Sequence, residues 1–404
     1  MNKKIGPLLL SGLMIGPILG SGIVLLPPIA YKMLGDWSLI AWIFIMFLGA
    51  LFALCFSKLS ILLPGDGGMT LAIDQVMGPK WKLYASFLMI SAVSVGPTAV
   101  MLTAGEYLNQ LGFLSNISQP IIAMVLIVVS FFVLLRDLKV MSTISFIVST
   151  CITLILLLSS VATIATNGIH FNSEPVTVMS FGKTSLLLFW AIIGWEIVGN
   201  YSGQVKDVKT TVKRATIISI IVITLTYILI ALSFNSIGNE GMTLTQILYP
   251  VFKTFSPSIL AILVTGLCMS TYILIVGALS RLVSSIATEG YLPKLLMARN
   301  KHNIPTTPTY YFIIMHLIIL TLNQLHLIDI ESVVSFANGF FVLNAIIGLV
   351  SVYKISGDVF LKGASILLII GLSILLIFSS LTSIILMLIV YLIALFLYRS
   401  KSLI

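Results

Sequence analysis

Gly16-Pro17-Ile18-Leu19-Gly20-Ser21-Gly22-Ile23-Val24-Leu25-Leu26-Pro27-Pro28 is the stretch that decides how this chain is read. It lies inside the first long apolar segment, residues 5–31, where an uninterrupted membrane helix avoids such residues. Three glycines and three prolines among 13 residues remove backbone donors and loosen the hydrogen-bond ladder. In lipid the freed N–H and C=O groups must be satisfied internally, so a break here faces protein or a watery cavity. Small residues could also serve close helix contact. A Gly-Ser-Gly triplet followed five residues on by Pro-Pro exceeds what packing needs. Helices broken at mid-membrane offer backbone groups to a small solute or ion.

Composition sets the class. Hydrophobic residues make up 59% of 404 and charged residues 9%, with a mean hydropathy of +1.15. A water-soluble domain could not hide so much apolar surface; a polytopic membrane protein has lipid for its solvent. Cys55, Cys151 and Cys268 all lie in apolar segments without CxxC spacing, which suggests neither a disulfide framework nor a zinc site. The first apolar segment is too long, and wrongly flanked, for a cleaved signal peptide.

Apolar runs of spanning length fall near 5–31, 37–63, 83–112, 119–135, 140–166, 184–203, 213–234, 257–288, 308–327, 332–353, 361–378 and 380–398. Twelve spans are therefore expected, the last two divided around Ser379–Ser383. With both termini cytoplasmic, 19 of the 22 Lys and Arg fall on inner segments, leaving only Lys32, Lys183 and Lys253 outside. That is a strong positive-inside bias, so the net charge of +9 reflects topology and not nucleic-acid binding. Pro64-Gly65-Asp66-Gly67-Gly68 reads as a turn, with a short interfacial helix expected over Met69–Met77. His170–Lys183 and Asn235–Lys253 are expected as outer loops, and Glu289–Thr307 as an inner one.

The first and sixth spans both carry glycine breaks, five spans apart, the layout of two inverted five-helix halves. A single polytopic domain, 1–404, would then hold one repeat over 5–166, a second over 184–353 and two added helices over 361–398. The sixth span reads Leu188-Phe189-Trp190-Ala191-Ile192-Ile193-Gly194-Trp195-Glu196-Ile197-Val198-Gly199-Asn200. Glu196 lies 13 residues after Lys183 and 10 before Lys206, near the bilayer middle. A carboxylate at that depth is a functional candidate; it could also be an anchor tying the unwound helix to its surroundings. Trp190 and Trp195 sit too deep for the interfacial belt, so one of them is expected to line a cavity.

Gly20-Ser21-Gly22-Ile23 followed by Pro27, the Phe189–Glu196 run and the trailing Lys206-Asp207-Val208-Lys209 resemble the amino acid–polyamine–organocation superfamily. The likeness covers the whole chain. Ser280-Arg281-Leu282-Val283 and Phe336-Ala337-Asn338-Gly339-Phe340-Phe341 further resemble the bacterial subgroup that exports methionine and branched-chain amino acids. The chain departs from the family at Lys206–Thr211, where an Asn-Pro-x-Arg-like turn is usual, which bears on the inner gate and not on the fold.

The resemblance implies an all-α fold of twelve spans in a 5+5 inverted repeat with broken first and sixth helices. It implies a substrate carboxylate held on N–H groups of Gly20, Ser21, Gly22 and Ile23, and an α-amino group on carbonyls near Trp190, Ala191, Ile193, Gly194 and Trp195. Half-helix N-termini suit the first role. Tyr272 aligns with an aromatic lining position of the eighth span, and Asn338 in the tenth is either a donor to substrate or a packing residue. Apolar lining such as Ile193, Ile197 and Phe341 suits aliphatic side chains.

Glu106 lies near the outer end of the third span, where hydration explains it, and His316 reads as a packing histidine. His170, His302 and His326 fall in loops. The eighth-span region expected to supply hydroxyls to a sodium site offers only Ser280, beside Arg281, which favours proton coupling or exchange through Glu196 over sodium. The reading is a plasma-membrane secondary transporter of neutral amino acids, monomeric or homodimeric, with no cofactor and no metal. An uptake permease, or a germinant-sensing receptor on the same fold, are the rival readings. No catalytic set or phosphate loop appears within the spans, so enzymatic activity is not expected.

Overall fold

Apolar runs in lipid satisfy their own backbone only as helix or closed barrel, and this chain uses helix throughout. The computed structural model describes residues 4–111, 114–169, 171, 175–238, 243–328, 330–377 and 381–402. Among them are fifteen α-helices joined by short 3₁₀ turns, with β-pairing limited to two isolated bridges. His170 and the Ser379-Ser380 part of the expected last turn lie outside the described residues.

The first span is cut into α1 (Pro7–Leu19) and α2 (Gly22–Leu34), and α3 (Ser38–Leu62) follows after one 3₁₀ turn. The helix expected over Met69–Met77 is present as α4, followed by α5 (Pro79–Asn109). Pro79 opens α5 at a position where a missing N–H costs nothing. Next come α6 (Gln119–Leu134) and α7 (Leu138–Asn167). Asp137 caps α7 by accepting from the Val140 N–H at 2.9 Å.

α8 (Val178–Leu188) does not continue as an α-helix. It gives way to 3₁₀ pieces at Phe189–Ile192 and Ile197–Gln204, and α9 (Val208–Ile237) follows. Region 235–253, expected as a polar loop, instead contains α10 (Leu244–Phe252), started by a reciprocal capping box between Thr243 and Gln246. α11 (Ser256–Thr288), α12 (Thr306–Gln324), α13 (Ile330–Ile355), α14 (Val359–Ile377) and α15 (Leu381–Ser402) complete the chain.

Seven helical stretches among the described residues are long and apolar enough to cross a membrane: Gly22–Leu62, Pro79–Asn109, Leu138–Asn167, Val208–Ile237, Leu244–Thr288, Ala337–Ile355 and Leu381–Ser400. Shorter apolar helices occupy Pro7–Leu19, Gln119–Leu134, Val178–Ile192 and Val359–Ile374. Breaks and turns account for the difference from simple run-counting. α1 falls short because Gly20 and Ser21 end it, while α2 and α3 run almost continuously into one stretch.

α5 and α11 form the packed centre, with α13 against α5 and α1 lodged between α7, α9 and α11. Apolar side chains also cover the outside: Phe47 on α3, Phe132 on α6, Leu158 on α7, Ile221 on α9 and Phe396 on α15 are all exposed. Such a surface suits hydrocarbon and would aggregate in water.

One end of the bundle is tied shut. The Pro64–Gly68 turn rests on the second 3₁₀ piece, where Asn200 Nδ2 donates to the Asp66 carbonyl at 2.8 Å and the Gly65 N–H donates to Ser202 Oγ at 3.1 Å. A Cβ at Gly199 would lie 3.3 Å from Gly68 Cα, so bare backbones make this contact. At the same end Arg299 pairs with Asp66 at 3.3 Å, and the mostly buried Lys82 pairs with Asp74 at 3.0 Å and Glu289 at 2.8 Å. The chain's start is pinned there too, through the Ile5–Val205 bridge, in which the Lys206 N–H donates to the Ile5 carbonyl at 2.9 Å.

Close approach of α1 to α7 depends on Gly12, where a Cβ would fall 2.5 Å from the Phe146 Cα. Backbone cannot yield there as a side chain would. Gly12→Val is expected to destabilise the fold by about 1–3 kcal/mol, seen as a lowered thermal midpoint of the purified protein in detergent. An unchanged midpoint would show that the two helices separate at no cost.

Candidate functional site

Gly20 adopts φ +35°, a backbone that a residue with a Cβ rarely takes, and there α1 stops. Its N–H closes on the Gly16 carbonyl at 2.8 Å, and α2 restarts at Gly22 with no side-chain cap from Ser21. Among the described residues, no acceptor pairs with the N–H groups of Ser21, Gly22 and Ile23. The carbonyls freed on the other side of the break are covered. Tyr227 Oη, on α9, donates toward the Ile18 and Leu19 carbonyls at 3.2 and 3.4 Å. Its ring stacks on Trp42 at 4.5 Å between centroids. Thr271 Oγ1, on α11, lies 3.5 Å from the Gly16 carbonyl.

The second break is made differently. Gly194 sits at φ +128°, and Gly199, Asn200, Ser202 and Gly203 are poor helix formers. Glu196 bends back on this segment, its Oε2 accepting from the Gly194 N–H at 3.0 Å, and the residue is 3% exposed. No Lys, Arg or His among the described residues comes within ion-pair distance of it. The bond stays within the broken segment, two residues back, and joins the carboxyl to the glycine at the break and to no neighbouring helix.

A cavity lies between the two breaks. Pro17, Ile18, Ser21 and Gly22 form one wall and Trp190, Ile193 and Gly194 another. α5 adds Gly96, Pro97 and Val100; α11 adds Thr271 and Ile275; α13 adds Phe341. Only Ser21 and Thr271 bring polar side chains, and no lining residue is charged. About 40 Å³ is open to the centres of water-sized molecules. A single water needs about 10–15 Å³ by the same measure, so the space is too small for an amino acid.

Of the residues expected at the site, Ser21, Gly22, Trp190, Ile193 and Gly194 meet at this cavity, and Gly20 sets the break beside it. Ile23 is buried behind the wall. Ala191 and Trp195 face a smaller neighbouring void with Ile18, Met46 and Gly49. Tyr272 turns away. Its hydroxyl meets His316 Nδ1 at 2.8 Å, and His316 Nε2 donates to the Val93 carbonyl at 2.7 Å. His316 is thus a packing histidine satisfied on both nitrogens, and α11 faces the cavity with Thr271 and Ile275 instead.

Asn338 is partly buried and not among the lining residues, its Oδ1 without a partner among the described residues. Phe341, one turn further, takes the α13 position; the Ile197 side chain lies outside those described. Ser280 accepts from Thr309 on α12 at 3.1 Å, so the α11 hydroxyls that reach α1 are Ser270 and Thr271, which sequence reasoning missed. Tyr227 was missed as well. Its one signal was that it is the lone tyrosine of its span. The α5 wall was missed too; its signal was Gly96-Pro97, a helix-weakening pair at mid-span.

Comparison with known proteins agrees with this architecture. The chain is 22% identical over 281 residues to an uncharacterized amino acid permease, YecA, of Bacillus subtilis (strain 168); the match takes in 67% of this chain. It spans about two thirds, 66%, of that relative's length. Residues 5–402, from the bridge at Ile5 to the last turn of α15, match the amino acid permease family, and the chain belongs to that family.

Proposed function

We propose that the chain carries neutral amino acids with apolar side chains across the membrane by alternating access, using the cavity between the two helix breaks. One observation supports this most. N–H groups of Ser21 and Gly22, unpaired among the described residues, stand beside a chamber whose other walls are mostly aliphatic or aromatic and uncharged. An amino acid carboxylate complements such donors at a half-helix start. The side chain then meets Ile193, Ile275, Val100 and Phe341, with no acid to attract a cationic substrate.

The same reading assigns twelve spans in two inverted halves, 5–166 and 184–353, with both termini in the cytoplasm. The bound end of the bundle, carrying Asp66, Lys82 and Arg299, is then the cytoplasmic one. Likeness of residues 280–283 and 336–341 to the exporter subgroup supports outward movement of methionine and branched-chain amino acids. Glu196 is proposed as the group that couples flux to protons, since it is the acid beside the second break.

Counterflow of labelled leucine and methionine in proteoliposomes tests the function: accumulation against unlabelled internal substrate is expected. Absence of counterflow with every neutral amino acid would leave only a sensing role on this fold. For topology, a cysteine placed at Lys206 should react with impermeant reagent only after cells are opened, and labelling in intact cells would invert the orientation.

Gly22 marks where the substrate carboxylate is expected, and a Cβ there already comes 3.1 Å from Tyr227 Oη and 3.6 Å from Trp190 Cδ1. Gly22→Leu should weaken leucine binding about ten- to hundredfold, from about 1–3 kcal/mol of overpacking, with insertion into the membrane intact. Binding at wild-type strength would reduce the break to a packing device. Glu196→Gln keeps shape and the Gly194 N–H as a partner. It should retain counterflow yet lose the response of flux to an imposed pH gradient. Undiminished pH-driven flux would leave Glu196 as an anchor alone.

A further inference from the structure

Arg281 is fully buried in α11, at 0% exposure. A guanidinium keeps its charge even when buried and carries five N–H donors. In this protein Nη1 donates to the Gly277 carbonyl at 2.9 Å, one helical turn back, and the cation stacks 4.9 Å from the centre of the Tyr201 ring. Tyr201 is fixed in turn by donating to the Leu274 carbonyl at 2.7 Å. Among the described residues, the buried Nε and Nη2 have no acceptor, and no carboxylate lies within ion-pair distance. Leaving buried donors of a charged group unpaired is costly.

The two orphaned nitrogens are not an arbitrary pair. Nε–H and the adjacent Nη2–H point the same way and make the edge of the guanidinium that takes a carboxylate through two parallel hydrogen bonds. That edge is the open one, while the Nη1 corner and the ring face are used for holding the side chain in place. Position matters as well. Arg281 lies six residues beyond Ile275 of the cavity wall, about 9 Å along the helix. Ser284, further along α11, accepts from Arg299 at 3.1 Å, and Arg299 also holds Asp66. Arg281 thus stands between the central cavity and the tied end of the bundle. Asp66 acts on it electrostatically but stays engaged with Arg299.

We propose that the open Nε–Nη2 edge of Arg281 is a second anion subsite, on the Asp66–Arg299 side of the cavity, which takes the carboxylate of an amino acid as it passes. It rests on the transport reading above, and adds to it a stopping point at which the carboxylate leaves the N–H groups of the first break for a fixed cation. Covered while the tied end is shut, the subsite becomes reachable when that end opens. A small inorganic anion shares the chemistry and would occupy the same fork.

Side-specific kinetics test this. Leucine and methionine flux is measured separately from each face of oriented vesicles for wild type, Arg281→Lys, which keeps the charge and loses the fork, and Arg281→Met, which loses both. Half-saturation from the Asp66–Arg299 side should rise about tenfold or more in both variants, the worth of a charge-assisted hydrogen bond, and stay unchanged from the other face. Replacing chloride with a bulky organic sulfonate separates the sources: loss of wild-type flux, with both variants insensitive, identifies a free anion as occupant. Wild-type half-saturation at both faces in both variants, without chloride dependence, would overturn the proposal.

Should the variants not fold, the wild type answers alone. Phenylglyoxal applied from the Asp66–Arg299 side should modify Arg281, as read by peptide mass, and leucine or chloride should protect it while leucinol, which lacks a carboxylate, should not. Absence of modification, or equal protection by leucinol, would overturn the subsite. Protection by leucine in a protein that shows no counterflow would instead sink the transport reading and leave the subsite standing.

Discussion

Peptide groups left bare in hydrocarbon cost several kcal/mol each, and that cost governs this structure more than any single contact. Along unbroken helices it is met automatically. At the two breaks it is met one group at a time: Tyr227 covers the carbonyls of Ile18 and Leu19, and Glu196 holds the Gly194 N–H. The N–H groups at the start of α2 are left over, and they are the ones beside the cavity. At the first break the backbone's own needs are satisfied selectively, carbonyls first.

The rest of the bundle can be seen as support for those two breaks. α5 and α11 form the firm centre, each presenting two or three residues to the chamber. Glu196 stands beside the second break, and the ion pairs among the described residues lie at the end where Lys82, Asp74, Glu289, Asp66 and Arg299 pair with one another. Ion pairs of this kind stabilise little when exposed; when desolvated, the burial cost offsets much of their attraction, and loss of one partner is what becomes costly. Lys82, largely shielded, belongs to the second sort. That end of the bundle is held by a few such pairs and by bare glycine contacts.

Sequence made the membrane class, the first break and the α4 helix legible, because each rests on local composition or on glycine and proline spacing. It located both breaks, since glycine signals where a helix fails. It did less well on facing. Tyr272 and Thr271 are neighbours in sequence, yet a helix turns by about 100° per residue. Only the packing of α11 against α5 and α12 decided that the tyrosine meets His316 and the threonine meets α1. The collapse of the sixth span into 3₁₀ pieces, and the helix inside region 235–253, were likewise hidden. Both depend on capping and on tertiary contacts that residue type alone does not reveal.

The bridge between Ile5 and Val205 carries a mechanical consequence. Two backbone hydrogen bonds join the leading end of α1 to the trailing end of the second 3₁₀ piece. The portions of both interrupted spans on that side of the breaks are therefore yoked, as two oars lashed at their handles. Neither can swing outward without dragging the other or breaking the tie. A lever made this way shares its load between two fulcra, Gly20 and Gly194, the positive-φ glycines at which the first and sixth spans bend.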